Sequence, residues 1–295
     1  MKIIECVPNF SEGKDRKKVD AIAHAILSVE NVKLLDYSMD CDHHRSVFTF
    51  IGSPENVLTA ALAACAKALR LIDMREHQGV HPRIGAIDVV PFVPLKDTDM
   101  KDATEVAHRF GWEFAAKNHV PVYFYGEAAL DPARVNLSDV RRGGYEGLKE
   151  KIEEPRWKPD AGPAVFNERW GAVIVGARVP LIAFNVNLNT DDLSLAKHIA
   201  RTVRQSGGGL SHVKAMGVPL SSRNIVQVSM NLTDYRETSI RTAFDAVKQK
   251  ASESGVAILE SELIGLIPEE AMAGNSSEYL QLSQFCQDSI IESHL

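Results

Sequence analysis

The stretch Val47-Phe48-Thr49-Phe50-Ile51-Gly52-Ser53-Pro54 decides the fold class. Its β-branched and aromatic residues are typical of a strand, and Gly52 ends that run. Ser53 can cap a helix that has Pro54 at its first position. Apolar residues then recur at helical spacing to Leu69, so the strand is followed by a long helix.

Similar patterns on both sides of this stretch extend it to a strand–helix–strand–strand–helix–strand order. That order is the split βαβ, or ferredoxin-like, arrangement. Pro91 lacks an N–H, so we expect its strand to lie at a sheet edge or to end there. The predicted strands are Ile3–Val7, Val32–Leu35, Ile84–Val93 and Val122–Tyr125, and the further helices are 16–28 and 101–117.

The second half repeats this order without a repeat of individual residues. Thr190 is expected to cap a helix with Asp191 and Asp192 in its first turn, where acids suit the helix dipole. The sequence therefore predicts an α/β (α+β) fold of two ferredoxin-like βαββαβ subdomains, residues 1–178 and 179–295, with a ligand cleft between them. The predicted strands are Leu181–Asn187, Val213–Val218, Ile225–Leu232 and Val256–Leu259, and a second helix begins near Ile240.

Composition excludes several classes of protein. The 295 residues are 45% hydrophobic, which is too apolar for a disordered chain. No apolar run approaches the roughly 18 residues of a membrane span. A net charge of −6 argues against nucleic acid as the main partner. Four scattered cysteines and Glu5 near the start favour a reduced, cytoplasmic protein without a secretory signal.

Charge is concentrated in the connection between the two halves. Residues 134–178 hold nine Lys and Arg against seven Asp and Glu. A connection of some 40 residues rich in Gly, Pro and charge is unusual inside a compact domain, and such segments are often functional. Either this segment is a solvated linker with a short helix near 145–152, or it is a local basic site for an anionic ligand.

Two histidines lie in the cluster His77-Gln78-Gly79-Val80-His81-Pro82-Arg83. Their spacing could bind zinc from a helix, but the glycine and the proline disfavour a helix here. A structural loop histidine and a general acid or base remain open.

A second polar cluster, Asp40-Cys41-Asp42-His43-His44-Arg45, falls between two predicted strands. It is either a solvated turn or a charged wall, with acids for a cationic group and Arg45 for a carboxylate. The stretch Val7–Gly13, which contains Asn9, reads as ordinary turn chemistry.

The connection also contains a stretch bracketed by glycines. Two aromatic faces could hold a ring system and the arginine could bind a carboxylate, although the aromatics could equally anchor packing. The residues are Gly162, Pro163, Ala164, Val165, Phe166, Asn167, Glu168, Arg169, Trp170 and Gly171.

Several long motifs together resemble the formiminotransferase family, and the resemblance covers nearly the whole chain. One departure stands at His44, where members of that family commonly carry Asn. The motifs are Glu5–Gly13, Leu71–Met74, His81–Val89, Pro121–Ala129, Trp170–Ala172, Gly176–Arg178 and Leu181–Asn187.

The resemblance implies transfer of a formimino group between N-formimidoyl-L-glutamate and tetrahydrofolate. It implies that His81 is catalytic and that Gly162–Gly171 binds the folate, which can be polyglutamylated. It also implies a homodimer, and a separate cyclodeaminase where that activity is needed. From the spacing of the histidines we expect no metal. For the substrate carboxylates and the amidinium we select Asn9, Asp42 and Arg45, with Arg83 as a further cation.

Three alternatives stay open at this point. The first is a folate-binding relative without this transfer, or with another one-carbon group such as formyl. The second is a metal-dependent amidohydrolase that uses the pairs His77/His81 and His43/His44. The third is an interaction module without catalysis.

Overall fold

The computed structural model describes all 295 residues. The chain divides into two compact units, Met1–Arg178 and Val179–Leu295. No helix in the structure combines the length and the apolar character that a membrane crossing requires.

The first unit is a seven-stranded sheet with helices packed on one face. Its strands are β1 (Ile4–Cys6), β2 (Asn9–Phe10), β3 (Lys33–Asp40), β4 (Arg45–Gly52), β5 (Ile87–Pro94), β6 (Val122–Gly126) and β7 (Val173–Ala177). Its helices are α1 (Arg16–Leu27), α2 (Pro54–Leu71), α3 (Met100–Asn118), α4 (Leu137–Val140) and α5 (Leu148–Glu153).

The ferredoxin-like core of this unit is as predicted. Strand β4 lies between β3 and the β1–β2 pair, and β5 lies on the other side of that pair, all antiparallel. Strand β7 then adds parallel to β5 and β6 adds parallel to β7. Ser53 caps α2 through its side chain, with Pro54 at the first position, as the opening stretch indicates.

The expectation for Pro91 is wrong, because β5 runs on to Pro94 and has neighbours on both sides. The N–H of Val7 donates to the carbonyl oxygen of Pro91 (3.2 Å). The nitrogen of Pro91 points to the same side, towards the gap between β1 and β2. No strand carbonyl there needs a hydrogen bond from it, so proline is tolerated inside the sheet.

The connection between the halves is part of the first unit and packs as a layer over the second face of its sheet. Val140 and Leu148 from this layer join Val89, Tyr123 and Ile174 of the sheet in a separate buried cluster. The short helix near 145–152 forms slightly later, as α5.

The second unit is a four-stranded antiparallel sheet in the order β11-β8-β10-β9, the ferredoxin-like order. Its strands are β8 (Ile182–Leu188), β9 (Val213–Leu220), β10 (Ile225–Leu232) and β11 (Ile258–Ile264). Its helices are α6 (Leu193–Val203), α7 (Ile240–Glu253) and α8 (Glu269–Met272).

Two details of this unit differ from the prediction. Asp192, not Thr190, caps α6, since its side chain accepts hydrogen bonds from the N–H groups of Ser194 and Leu195. The last strand is Ile258–Ile264, later than the predicted Val256–Leu259, and a bulge between Ile258 and Glu260 shifts its pairing with β8.

Candidate active site

The histidine loop packs against the turn between β3 and β4. The N–H of Val80 donates to the carbonyl oxygen of Asp42 (3.2 Å). A Cβ atom on Gly79 would lie 2.4 Å from the carbonyl oxygen of His43, so only glycine allows this approach. The loop is not helical, as its Gly and Pro indicate, and it brings the two predicted polar clusters together.

His81 is half-buried at the centre of this contact. The Nδ1 atom of its ring lies 2.7 Å from the carbonyl oxygen of Pro82. A carbonyl can only accept, so this contact favours a proton on Nδ1 and leaves Nε2 as the basic nitrogen. Burial, followed by the charges of Arg45 and Arg141, holds the pKa of His81 well below its usual value, so the ring is neutral at neutral pH.

Arg45 links His81 to Asn9. Its Nη1 atom lies against the ring of His81 and closest to Nε2. Because a protonated Nδ1 cannot accept, this N–H donates to Nε2. Its Nε donates to Oδ1 of Asn9 (2.7 Å), and Asn9 is held on β2 between β4 and β5. Three residues selected from the sequence therefore meet, although they are far apart along the chain.

Two further residues complete this cluster, and sequence reasoning missed their role. Asp88 on β5 is 2% exposed and pairs with Arg141 (Nη2–Oδ2, 2.5 Å), with Arg45 4.0 Å away. Burial and the nearby charge of Arg141 lower the pKa of the Arg45 guanidinium to about 9. A carboxylate inside the apolar run Ile84–Val93 was the available signal, because a buried charge needs a partner.

The cluster therefore contains two guanidinium groups and one carboxylate. The side chains of Arg45 and Arg141 are only 19% and 13% exposed, so solvent does little to compensate the excess positive charge. Such an arrangement suits an anionic group such as a carboxylate.

Arg83, by contrast, is already occupied. It forms a two-point pair with Glu146 (2.9 and 2.7 Å), and its Nε donates to Nδ1 of His77 (3.1 Å). His77 in turn donates from Nε2 to the carbonyl oxygen of His44 (2.8 Å) and stacks on the His44 ring at 4.2 Å. This network supports the loop beneath His81.

His44 itself is held by its backbone and by Glu12. Its φ is +49°, in the left-handed region where Asn, Asp and His are all enriched among non-glycine residues, so the backbone accommodates this departure from the family pattern. Its Nδ1 donates to the carbonyl oxygen of Gln78 (2.8 Å), and its Nε2 lies 3.5 Å from the buried Glu12 carboxylate. Burial raises the pKa of Glu12, but the contact with His44, hydrogen bonds from two backbone N–H groups and the ion pair with Lys18 outweigh it and hold that pKa well below its usual value.

The segment Gly162–Gly171 belongs to the first unit, and contacts with the rest of that unit fix both of its ends. Gly162 and Gly171 have φ of +81° and +67°, and a Cβ on Gly171 would lie 2.1 Å from the carbonyl oxygen of Ile84. Trp170 donates its indole N–H to the carbonyl oxygen of Leu69 (2.7 Å) and packs on the main core. This tryptophan therefore has a packing role, one of the two roles that the sequence left open.

The middle of the segment lies near the histidine loop. Phe166 contacts the ring of Tyr145 (5.4 Å between ring centres), and the Tyr145 hydroxyl donates to the carbonyl oxygen of Glu168. Tyr145 also donates its backbone N–H to the carbonyl oxygen of Arg83 (2.8 Å). Pro163, Ala164, Val165, Asn167 and Arg169 complete the segment, and Arg169 is exposed.

Much of the basic charge in the connection is used inside the fold. Arg134 pairs with Asp160 (2.5 Å), and both side chains are buried. Lys151 donates to three carbonyl oxygens at the end of α4, and burial lowers its pKa to about 8. Arg169 has no carboxylate partner: its guanidinium donates to the carbonyl oxygen of Arg70 (3.3 Å) and lies 5.8 Å from the centre of the Trp170 ring. No group of three or more His, Cys, Asp or Glu is arranged to hold a metal ion.

Comparison with known proteins covers both units. The profile of the formiminotransferase domain, N-terminal subdomain, matches residues 3–178, and that of the formiminotransferase domain matches residues 183–293. A solved structure of a microcompartments protein from Desulfitobacterium hafniense DCB aligns with 90% of this chain and 94% of its own, at 10% identity. Its TM-score of 0.23 is too low to bear on the fold.

Curated relatives match over the full length. A protein named glutamate formimidoyltransferase from Thermoplasma acidophilum is 47% identical over 99% of this chain and 97% of its own. A protein of the same name from Streptococcus pyogenes is 42% identical over 100% and 99%. The formimidoyltransferase-cyclodeaminase of Rattus norvegicus is 41% identical over 94% of this chain, which spans 52% of that protein. Because these matches cover both units from end to end, the chain belongs to the formiminotransferase family.

Proposed function

We propose that this protein transfers the formimidoyl group between N-formimidoyl-L-glutamate and tetrahydrofolate, giving 5-formimidoyltetrahydrofolate and L-glutamate. The observation that carries the proposal is the full-length identity of 47% and 42% to two relatives named for this activity. The protein is then a folate-dependent one-carbon transferase of histidine degradation, and tetrahydrofolate is a co-substrate.

The reaction sets a simple requirement for proton transfer. The attacking nitrogen must lose a proton, and the nitrogen that leaves with glutamate must gain one. A neutral imidazole near both nitrogens can accept the first proton and return it to the second, and such help contributes about 10² to 10⁴ in rate. We assign this role to His81, whose depressed pKa keeps Nε2 unprotonated at neutral pH.

The basic nitrogen of His81 must be free before it can act, yet Arg45 now contacts it. A substrate carboxylate offers Arg45 a stronger, charged acceptor than a neutral imidazole does. Binding of that carboxylate to Arg45, with Arg141 alongside, then withdraws the guanidinium from the ring. In this scheme only a bound substrate frees the base.

The other site residues selected from the sequence have roles around His81 and Arg45. Asn9 orients Arg45, and Asp42 lies beside the histidine loop, where it can bind the amidinium. Arg83 contacts Glu146 and His77 and supports the loop without touching the substrate.

For the folate we propose Gly162–Gly171, with Arg169 for the anionic glutamyl tail. Salt screens exposed charges and so weakens their hold on an anionic tail. The folate Kd should therefore rise between low and high ionic strength. A Kd that stays constant would count against this role.

The family resemblance also supports a homodimer in the cytoplasm. We further propose that the protein works without a metal and that, where cyclodeaminase activity is needed, a separate protein carries it. Light scattering on the purified protein tests the dimer directly. A monomer at micromolar concentration would contradict it.

The function itself is tested by incubating the purified protein with N-formimidoyl-L-glutamate and tetrahydrofolate. We expect equal amounts of L-glutamate and 5-formimidoyltetrahydrofolate by mass spectrometry. N-formyl-L-glutamate in place of the first substrate tests the formyl alternative. Turnover of the formyl compound alone would show that another one-carbon group is transferred.

A further inference from the structure

The sheet of the second unit has one face without a helix of that unit. Along β8 and β10, alternate residues such as Val186 and Val228 face the core and the helices. The residues between them form the other face, which is polar. Asn185, Asn187 and Gln227 on that face are nevertheless only 6%, 0% and 1% exposed.

The strand register brings acidic residues beside these amides. Glu260 on β11, Asn187 on β8 and Gln227 on β10 stand in one row across the sheet. Glu262 stands opposite Asn185 in the next row. Two carboxylates and three amides therefore share one patch, which we call the amide–carboxylate patch.

Hydrogen bonds fix the orientation of the amides in this patch. Asn187 Nδ2 donates to Glu260 Oε1 (3.1 Å) and to Glu262 Oε1 (2.7 Å). Gln227 Nε2 donates to Asn187 Oδ1 (2.9 Å) and to Glu262 Oε2 (3.0 Å). Since both amide nitrogens point at oxygens, the Gln227 amide cannot be turned round without losing two bonds.

One acceptor in the patch has no donor. Gln227 Oε1 is buried and makes no hydrogen bond. Buried polar atoms are nearly always paired, so an unpaired one beside a charged group marks a place where a donor belongs. Arg223 is the cation paired with the two carboxylates (2.6 Å to Glu260 and 3.6 Å to Glu262), which leaves the patch negative and rich in acceptors.

We propose that the amide–carboxylate patch binds a substrate group that presents adjacent N–H donors on one carbon, as an amidine does. Glu262 accepts from such a group and Gln227 Oε1 accepts a further N–H. The glutamate side chains at 260 and 262 are 30% and 33% exposed, so a ligand can reach them. Each carboxylate oxygen has lone pairs beyond those already used.

The proposed reaction offers this chemistry from two sources, and the inference rests on that proposed function. One is the amidinium of N-formimidoyl-L-glutamate. The other is the ring edge of tetrahydrofolate, where a ring N–H and an exocyclic amino group flank one carbon. Experiments on each ligand alone separate them.

On the ligand side, the wild-type protein is titrated calorimetrically with each substrate and with an analogue that lacks the donor. N-formyl-L-glutamate replaces an amidine N–H by oxygen, and a 2-desamino-2-methyl folate lacks the exocyclic amine. We expect one of the two replacements to weaken binding at least tenfold. These titrations do not depend on whether a variant folds.

On the protein side, Gln227→Met removes the free acceptor and Glu262→Gln removes a charge with little change of shape. We expect each to raise the Kd of the same substrate tenfold or more while the other Kd changes less than twofold. Gln249→Met, on the exposed side of α7, is the matched control and should leave both values unchanged.

Two results overturn the inference. One is a folded Gln227→Met or Glu262→Gln protein that keeps both Kd values within twofold of wild type. The other is wild-type binding that ignores both replacements. A wild-type protein that transfers the formimidoyl group but shows either result refutes the patch alone, whereas absence of transfer refutes the proposed function and the patch with it.

Discussion

His81 stands against a buried cation, and that neighbour governs the pH at which the ring can act as a base. A positive charge beside an imidazole disfavours the imidazolium form and lowers its pKa. Arg45 and Arg141 both act on His81 in this sense. His81 therefore remains neutral at pH values at which an ordinary histidine is already protonated.

Arg45→Met should move the pH profile of the reaction. Activity is lost as pH falls through the pKa of His81, so removing a positive neighbour raises that pKa and shifts the acid limb of kcat/KM to higher pH. The profile is measured in the variant and in Lys33→Met, a distant control on β3. An acid limb that stays in place would show that Arg45 does not tune His81.

Asp88→Asn should strongly destabilise the protein, because it removes the negative charge that balances the same two arginines. It keeps the shape of the side chain but leaves Arg141 and Arg45 without their only carboxylate. Breaking such a buried pair typically costs about 3–5 kcal/mol. Urea unfolding should detect the loss, and a change under about 1 kcal/mol would mean that the pair is solvated.

At the scale of elements, close backbone approach matters more than composition at the end of the segment Gly162–Gly171. Gly171 must be glycine both for its φ of +67° and for its contact with the Ile84 carbonyl. Gly143 has a φ of +91° but only an ordinary contact, at 3.7 Å, so it isolates the effect of φ.

Gly171→Ala should therefore destabilise the first unit more than Gly143→Ala. Left-handed φ alone costs about 1 kcal/mol for alanine, and overpacking adds about 1–3 kcal/mol. Thermal unfolding of both variants checks the order. Equal losses would show that Ile84 moves aside without cost.

The sequence predicted most elements because their patterns are local. The strand at Val47 and the cap at Ser53 need only neighbouring residues, and both are confirmed. Strand β7 was missed although Val173, Ile174 and Val175 form a local strand pattern, whereas its position between β5 and β6 depends on long-range pairing. Asp88 and Arg141 were missed as a pair because 53 residues separate them.

At the scale of the whole molecule, a buried neutral histidine ties stability to pH. Burial lowers the pKa of His77 to about 4, and its Nδ1 must stay unprotonated to accept from Arg83. The unfolded chain binds a proton at about pH 6.5 that the folded chain refuses, so stability is present above that pH and is lost as pH falls towards 4.

The free energy of unfolding should accordingly fall by about 1–3 kcal/mol between pH 7 and pH 4.5 on account of His77. His77→Gln, which can still accept from Arg83, should show a smaller fall over the same range. Urea titrations at both pH values measure the difference. An identical fall in the two proteins would assign the effect to other groups.

The central claim is that this chain transfers a formimidoyl group with His81 as its proton carrier. The direct measurement is kcat with saturating N-formimidoyl-L-glutamate and tetrahydrofolate, in the wild type and in His81→Ala, together with the folate Kd. We predict transfer by the wild type, a kcat about 10² to 10⁴ lower in the variant, and little change in the Kd. A wild type without transfer, or a variant with near-normal kcat, would contradict the account.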